Sequence, residues 1–374
     1  MIEKYGEMIG GIKLCAFGDY KKDYIRNDVV VNSFRENGIE VHECHTERKG
    51  LGRIIDLYRQ YRNIPPHRFV LVVSSDTARP LVILLKLISK KVIVWDAHYS
   101  LYDSWVNDRQ LTSPFSLKGF YYWFLDWVAC RLADFILLDT NSHIEYFVKE
   151  FYLSKDKFIR VLVGANELYL RQQAEKNKAI TIKLKMQNAG KFVVHFHGKY
   201  IPLQGIQYIV EAAKELESNQ DIVFNIVGKG QTYNKIKSLA KSLAIKNINF
   251  IDRIPYDEVP AYLLAADVSL GVFGDTDKAK RVIANKVYES LALGVPVITA
   301  DTKAAHELFM DGLNVILCQP ASGPDLAQKI LYLYHNSDRK EDIGRESYKL
   351  FSSCCTIKEI GRVLIADLKT NKII

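Results

Sequence analysis

Residues 267–300 read D-V-S-L-G-V-F-G-D-T-D-K-A-K-R-V-I-A-N-K-V-Y-E-S-L-A-L-G-V-P-V-I-T-A. The order is strand, loop, helix, strand. Residues 268–273 form a short apolar run, long enough for a buried strand. Residues 274–279 are mostly polar, with one Gly and two Asp, which is loop chemistry. Asn285 reads as the N-cap of the next helix, whose Val287, Leu291 and Ala292 share one side. Gly294 stands where a helix C-cap belongs, Pro296 lies just beyond, and Val297 opens the next strand. Lys278, Lys280, Arg281 and Lys286 gather around the start of that helix. Free backbone N–H groups and the helix dipole favour an anion there. Four cations repel one another unless something negative sits between them, and a phosphate or diphosphate is the natural candidate. A solvated basic loop is the plain alternative.

The same alternation extends in both directions. Upstream, strands are expected at residues 12–17, 39–44, 69–74, 92–95, 134–138 and 158–163. A second series follows at 192–196, 222–227, 248–251 and 315–317, with helical patterns between strands in both halves. Strand, helix, strand at this spacing is a βαβ unit. A strand apolar without alternation, as 69–74 is up to its final Ser74, belongs to a parallel sheet covered on both faces. The fold class is therefore α/β, with two Rossmann-like doubly wound domains, because 374 residues exceed one ordinary core. Residues 167–190 hold no strand pattern and many Lys, Gln and Asn, and read as the linker. The expected domains are residues 1–170 and 171–350, with 351–374 as a final helix packing back towards the first domain.

Hydrophobic residues make up 48% and charged residues 25%, and the net charge is +8. This balance suits phosphorylated or membrane-surface partners, without the basic stripe of a nucleic-acid binder. Six Cys show no C-x-x-C pair, which points to a reducing compartment and no structural zinc. The first eleven residues lack an apolar signal region, and no 18-residue stretch is free of charge. A cytoplasmic chain is expected, with contact at the cytoplasmic face of a membrane as the one elaboration. Residues 114–133 are dense in aromatics from Phe120 to Trp127, interrupted by Lys118, Asp126 and Arg131. A core helix under the first sheet is the favoured reading, and an interfacial helix is the alternative.

Ligands of doubly wound sheets bind beyond the C-terminal strand ends. Gly18 and Asp19, Asp76, and then Asp96 and His98 fall at such ends in the first half. Asp19, Asp76 and Asp96 are acceptor-side candidates. A histidine satisfied near a helix cap is the plain reading of His98. In the second half, Gly198 pairs with Gly205 and Gly228 with Gly230, but neither is a G-x-G-x-x-G fingerprint. No phosphate-binding P-loop, H-E-x-x-H or G-x-S-x-G motif occurs.

Four segments occur in order: H-F-H-G-K-Y-I-P-L-Q-G-I-Q-Y-I-V-E-A (195–212), I-V-G-K-G (226–230), D-R-I-P-Y-D-E-V-P-A-Y-L-L-A-A-D-V (252–268) and N-K-V-Y-E-S-L-A-L-G-V-P-V-I-T (285–299). In these the second half resembles family 4 of the retaining glycosyltransferases, whose GT-B fold sets two Rossmann-like domains facing a cleft. A-D-F-I-L-L-D-T-N-S-H (133–143) and the strand leading to Asp96-Ala97-His98 resemble that fold's acceptor domain. The resemblance implies transfer of a sugar from a nucleoside-diphosphate sugar to a glycan or lipid-linked glycan. It implies retention of configuration, with no metal and no cofactor.

The same resemblance assigns residues. Donor contacts would be Gly18, Gly198, Lys199, Gln204, Gly228, Arg253, Ile254, Lys280, Arg281, Asn285, Lys286 and Glu289. His98, Lys199 and Arg281 would carry catalysis, His98 matching a family histidine near the transferred sugar. Lys199 and Gln204 stand where the family usually has an Arg and a Lys on the diphosphate. Glu289 matches the second Glu of the family's Glu-x7-Glu pair, which binds ribose, and an exposed helix residue is its plain alternative. Arg281 stands where the first Glu would be. An Arg accepts no hydrogen bond, but grips a phosphate or carboxylate bidentately. Lys280, Arg281 and Lys286 are therefore expected to supply the charge that Gln204 does not. Two other readings motivated by these features are a non-catalytic sugar-nucleotide-binding subunit and an NAD-dependent oxidoreductase.

Overall fold

The computed structural model describes residues 11–374. These divide into two compact units. One holds the chain up to Gly164 together with Thr356–Ile374, and the other is Ala165–Cys355.

The first unit runs β1 (Lys13–Gly18), α1 (Ile25–Glu36), β2 (Glu40–His45), α2 (Leu51–Arg62), β3 (Phe69–Val72), α3 (Ala78–Ile88), β4 (Val92–Asp96), a π-helical turn Asp103–Asp108, α4 (Leu117–Leu132), β5 (Phe135–Leu138), α5 (Asn141–Phe151) and β6 (Phe158–Arg160). The strands form one parallel sheet in the order β2-β1-β3-β4-β5-β6. Alternate residues of each strand serve opposite faces. Leu14, Ala16, Phe69 and Leu71 meet Val29, Val30 and Phe34 of α1 on one face. Cys15, Phe17, Val70 and Val72 meet Leu81, Val82, Leu85 and Ala129 on the other. Both faces are thus covered by helices, which is why β3, F-V-L-V, is apolar at every position.

The second unit runs α6 (Glu167–Lys176), α7 (Lys178–Gln187), β7 (Phe192–His197), α8 (Ile206–Glu215), β8 (Ile222–Val227), α9 (Tyr233–Ser242), β9 (Ile248–Ile251), α10 (Val259–Leu264), β10 (Val268–Leu270), α11 (Asn285–Ala292), β11 (Val297–Ala300), β12 (Ile316–Cys318), α12 (Gly323–His335) and α13 (Ser337–Cys354). Its parallel sheet has the order β12-β11-β10-β7-β8-β9. The last helix, α14 (Ile357–Thr370), returns to the first unit. There Ile360, Leu364, Ile365 and Leu368 share the core of Val29, Val30 and Phe34.

The α/β class with two parallel sheets is the one expected from the alternation of apolar runs. Three local expectations are corrected. Residues 167–190 are mostly helical, as α6 and α7, and not an open linker. Asn166 caps α6 by accepting from the Tyr169 N–H, and Leu170 is buried beneath it. Asn285 is the first residue of α11, while extended Ala284 occupies the cap position with no side-chain bond. The aromatic helix α4 buries Ala129 and Cys130 in the core, but Phe120, Tyr121 and Phe124 in its first half stay exposed. Helices α5 and α13 were not anticipated. The sequence of α13, S-D-R-K-E-D-I-G-R-E-S-Y-K-L-F-S-S-C, is polar over most of its length, with Ile343 and Phe351 among its few buried anchors. Among the described residues no helix is long and apolar enough to cross a membrane.

Candidate functional site in the second unit

In the second sheet β7 and β10 are neighbours, and the chain leaves them towards opposite edges. Such a switch point opens a crevice beyond the strand ends, where ligands of doubly wound sheets bind. The two loops that leave it are fastened to each other. Phe273 N–H donates to the Gln204 carbonyl and Gly274 N–H to the Leu203 carbonyl, both at 3.1 Å. The loop after β8 closes on the same place: a Cβ at Gly228 would lie 2.0 Å from the Gly198 carbonyl oxygen, so no larger residue fits.

Lys286, in the first turn of α11, turns inward and is 5% exposed. Its Nζ donates to Gln204 Oε1 at 2.5 Å and stands 3.6 Å from the centroid of the Phe196 ring. A Cβ at Gly198 would approach that Nζ to 3.0 Å, so the amine lies directly against the β7 loop. Burial pushes the Lys286 ammonium well below the usual lysine range, and the Glu289 carboxylate opposes that shift only in part. Among the described residues, no carboxylate is in hydrogen-bond contact with the amine at the switch point.

Glu289 lies one turn further along α11 and is 2% exposed, so it is not the exposed helix residue of the plain reading. His197 Nε2 bonds its Oε2 at 2.8 Å, and the Tyr256 hydroxyl donates to its Oε1 at 3.2 Å. Behind His197, His195 Nε2 meets His197 Nδ1 at 3.1 Å. Burial, reinforced by His197 and Lys286, holds the His195 imidazole well below the usual histidine range. The consistent tautomers have His195 donating to His197 and His197 donating to Glu289. Tyr169 stacks on Tyr256 with centroids 5.8 Å apart. An ionised carboxylate has further lone pairs, so Glu289 can accept more bonds than these two.

The remaining cations differ from Lys286 in exposure. Lys280 is exposed and pairs with Asp277 at 3.0 Å. Arg281 closes a short 3-10 turn, Ala279–Arg281, and is half-buried, while Lys199 is exposed on the β7 loop. Apolar Phe196 and buried Gln204 draw Lys286 inward, whereas Asp277 holds Lys280 outside. Asn285 is half-buried. Arg253 is exposed beyond β9, and Ile254 packs on Val259, Leu263 and Val295. The structure therefore brings Gly198, Gln204, Gly228, Lys286 and Glu289 together around the strand ends. His195, His197 and Tyr256 were missed from sequence. The signal was there in H-F-H, since residues i and i+2 of a strand face the same side.

Gly18, Asp19, Asp76, Asp96 and His98 belong to the first unit. Gly18 is buried at the end of β1. Asp19 sits at that sheet's own switch point between β1 and β3. It accepts from Arg53 at 2.9 Å, from Ser75 at 2.8 Å and from Thr77. Asp76 is exposed and accepts from the Tyr99 hydroxyl. Asp96 is corrected: it lines no opening. It is fully buried in an ion pair with Arg26 at 2.8 Å, and Arg26 also donates to the Val161 and Leu162 carbonyls. Its role is to anchor α1 and the end of β6 to the sheet. His98 meets the Tyr24 hydroxyl at 3.1 Å and has φ +53°, an uncommon backbone for a residue other than glycine.

The family model described as glycosyl transferases group 1 matches residues 177–350. The match lies within the second unit, the one that holds the Lys286 and Glu289 site. An uncharacterized glycosyltransferase of Methanocaldococcus jannaschii is 27% identical over 229 residues, 59% of this chain and 61% of that protein. A second from the same organism is 20% identical over 219 residues, 58% of this chain and 53% of the relative. The chain thus spans less than two thirds of the length of either. Among solved structures, Anabaena HepE in complex with UDP and glucose superposes with a TM-score of 0.71 at 14% identity, over 96% of this chain and 100% of that one. Sucrose-phosphate synthase of Thermosynechococcus elongatus gives 0.73 at 13% identity, over 96% and 98%. At these identities the likeness is one of fold.

Proposed function

We propose that the chain is a retaining glycosyltransferase that takes a sugar from a UDP-sugar and passes it to a glycan or lipid-linked glycan. The observation that carries the reading is the buried Lys286 amine against the Gly198 loop, at the switch point of a family-matched unit. Breaking the bond between the anomeric carbon and the diphosphate leaves negative charge on a phosphate oxygen. A fixed cation and free helix N–H groups at that oxygen stabilise the transition state without reorganising. Lys286 is fixed by its buried stem and by Gln204, and it stands in the first turn of α11, where helix N–H groups have no carbonyl four residues back within the helix. Glu289, one turn on, is the ribose acceptor in this reading. HepE, which shares the fold, was solved with UDP-glucose, and this supports uridine as the donor base.

The test is a thermal-shift screen of nucleotide sugars on the full chain, followed by an assay of nucleoside diphosphate release with and without glycan acceptors. Selective stabilisation by one UDP-sugar, with acceptor-dependent release, is the expected result. Selective binding without any release would leave a donor-binding protein in its place, with Arg281 as the motivating departure. Stabilisation by none of the nucleotide sugars would overturn the reading.

A further inference from the structure

The chain just before α4 and the first half of that helix display large apolar side chains to solvent. Phe115 is 98% exposed, Leu117 91% and Phe120 60%, and Tyr121 and Phe124 are exposed beside them. This is no frayed tail. Ser116 caps α4 by accepting from the Gly119 N–H at 3.0 Å, and its hydroxyl donates to the Ser113 carbonyl at 2.6 Å. A Cβ at Gly119 would fall 2.4 Å from that same carbonyl oxygen, so the turn is folded tightly onto the helix. Phe120 stacks on Phe124 at 6.1 Å, and Phe124 on Trp127 at 6.0 Å, which ties the exposed rings to the core. The result is a rigid apolar wedge.

The charge around the wedge selects the partner. Between Asp108 and Asp126 the sequence holds Arg109 and Lys118 and no acid. Both flanking carboxylates are buried, Asp126 being bonded to Arg79 and Ser100. Glu150 is occupied by the Trp123 indole at 3.0 Å. Lys118 is exposed beside the rings, with its Nζ 5.8 Å from the Tyr122 centroid. Apolar groups at a helix start, aromatic rings behind them and an exposed cation alongside match the layered chemistry of an anionic lipid surface. We propose that this turn and the first half of α4 insert into the headgroup layer of an anionic membrane, holding the first unit on it. Lipid docking needs no transfer activity, so its test stands whatever the donor assay returns.

The test uses the full chain and sedimentation with vesicles at low salt. One set is made of equal parts phosphatidylglycerol and phosphatidylcholine, the other of phosphatidylcholine alone. Sedimentation is expected with the first set and roughly tenfold weaker binding to the second, because attraction to anionic headgroups adds to apolar insertion. The variant Phe115→Ser/Leu117→Ser/Phe120→Ser should lose about tenfold or more, and Lys118→Glu a smaller part. These side chains are exposed, so melting temperature should not fall, and Tyr121→Ser/Phe124→Ser serves as a second set should the first misfold. Three results would overturn the proposal: no binding of folded wild-type chain to anionic vesicles, equal binding by the folded variants, or a lipid-free dimer that the triple variant abolishes. The last would make the wedge an interface between copies.

Discussion

Lys286 Nζ, in the first turn of α11, donates to Oε1 of Gln204, which lies 82 positions earlier in the loop after β7. The resemblance places a diphosphate-binding lysine at position 204. Here the loop supplies a neutral acceptor and the helix supplies the cation, at the same point of the crevice. If the two positions share one task, Lys286→Gln should cost about 1.5–3 kcal/mol of donor affinity, the value of a hydrogen bond to a charged group. The exchange Gln204→Lys/Lys286→Gln should recover most of it, because the amine is kept and only its point of attachment moves. Titration calorimetry with the best UDP-sugar measures both. An exchange variant no better than the single one would separate the two positions.

The buried amine also makes donor binding depend on pH. Burial depresses the Lys286 pKa in the free protein, and a bound diphosphate would raise it again. Between the two values, binding takes up a proton, so affinity falls as pH rises through that window, by at most about tenfold per pH unit. A nucleotide sugar has no phosphate-monoester proton of its own to confuse the reading. Calorimetry in two buffers of different ionisation enthalpy counts the proton, and Lys286→Met should abolish the uptake. Folding follows the opposite sense. The unfolded chain holds this proton to higher pH, so the stability of the free protein should rise with pH between the depressed and the ordinary lysine value.

How much of this was legible in the sequence follows from what each residue must do. Strands such as β3 are apolar on both faces, because helices cover both, and runs of that kind can be read directly. The sequence singles out Lys286, but only together with Lys278, Lys280 and Arg281 as four cations around one helix start. Which cation turns inward depends on Phe196 and Gln204, some eighty to ninety positions away, and no local pattern encodes that. Asp96 shows the same limit from the other side. Its position past a strand is what a ligand-binding carboxylate would have, and only Arg26 reaching across from α1 shows that it is structural. Helix α13 escaped because its polar sequence leaves few apolar anchors to mark a period.

The buried pair gives a prediction of its own. Asp96→Ala leaves the Arg26 guanidinium uncompensated in a site with no exposure, and should destabilise the fold by about 3–5 kcal/mol. Chemical denaturation measures the loss. If Asp96 were instead an acceptor ligand, the variant would keep its stability and lose only activity.

Glu289 should show two effects at once. Removing its carboxylate takes the partner from His197 and from Tyr256, so Glu289→Ala should lose about 1–3 kcal/mol of stability. It should also weaken the donor by about 1.5–3 kcal/mol if the carboxylate accepts the ribose hydroxyls. Tyr256→Phe separates the two, since it disturbs the network and leaves the carboxylate in place. Equal losses of donor affinity in Glu289→Ala and Tyr256→Phe would mean that Glu289 only positions its neighbours.

Arg281 stands where the resemblance puts a sugar-gripping carboxylate, and it is half-buried at the end of the 3-10 turn that precedes α11. Neighbouring Lys280 is exposed and neutralised by Asp277. The structure thus separates two adjacent cations that the sequence alone treats alike. If Arg281 belongs to the diphosphate clamp with Lys286, Arg281→Ala should raise the barrier by about 2–4 kcal/mol, the cost of one preorganised donor. It should lower turnover more than it lowers donor binding. Lys280→Ala should change either by less than about 1 kcal/mol, because an exposed, salt-paired ammonium contributes little. Arg281→Lys should recover part of the loss, since a point charge cannot reproduce the planar fork. Arg281→Glu should be the least active of the three, because it brings a second negative charge towards the diphosphate. Turnover and donor affinity measured across all four variants decide the matter. Were Arg281→Glu the most active at this position, the cation would be a lesion in an ordinary sugar pocket, and the clamp would rest on Lys286 without it.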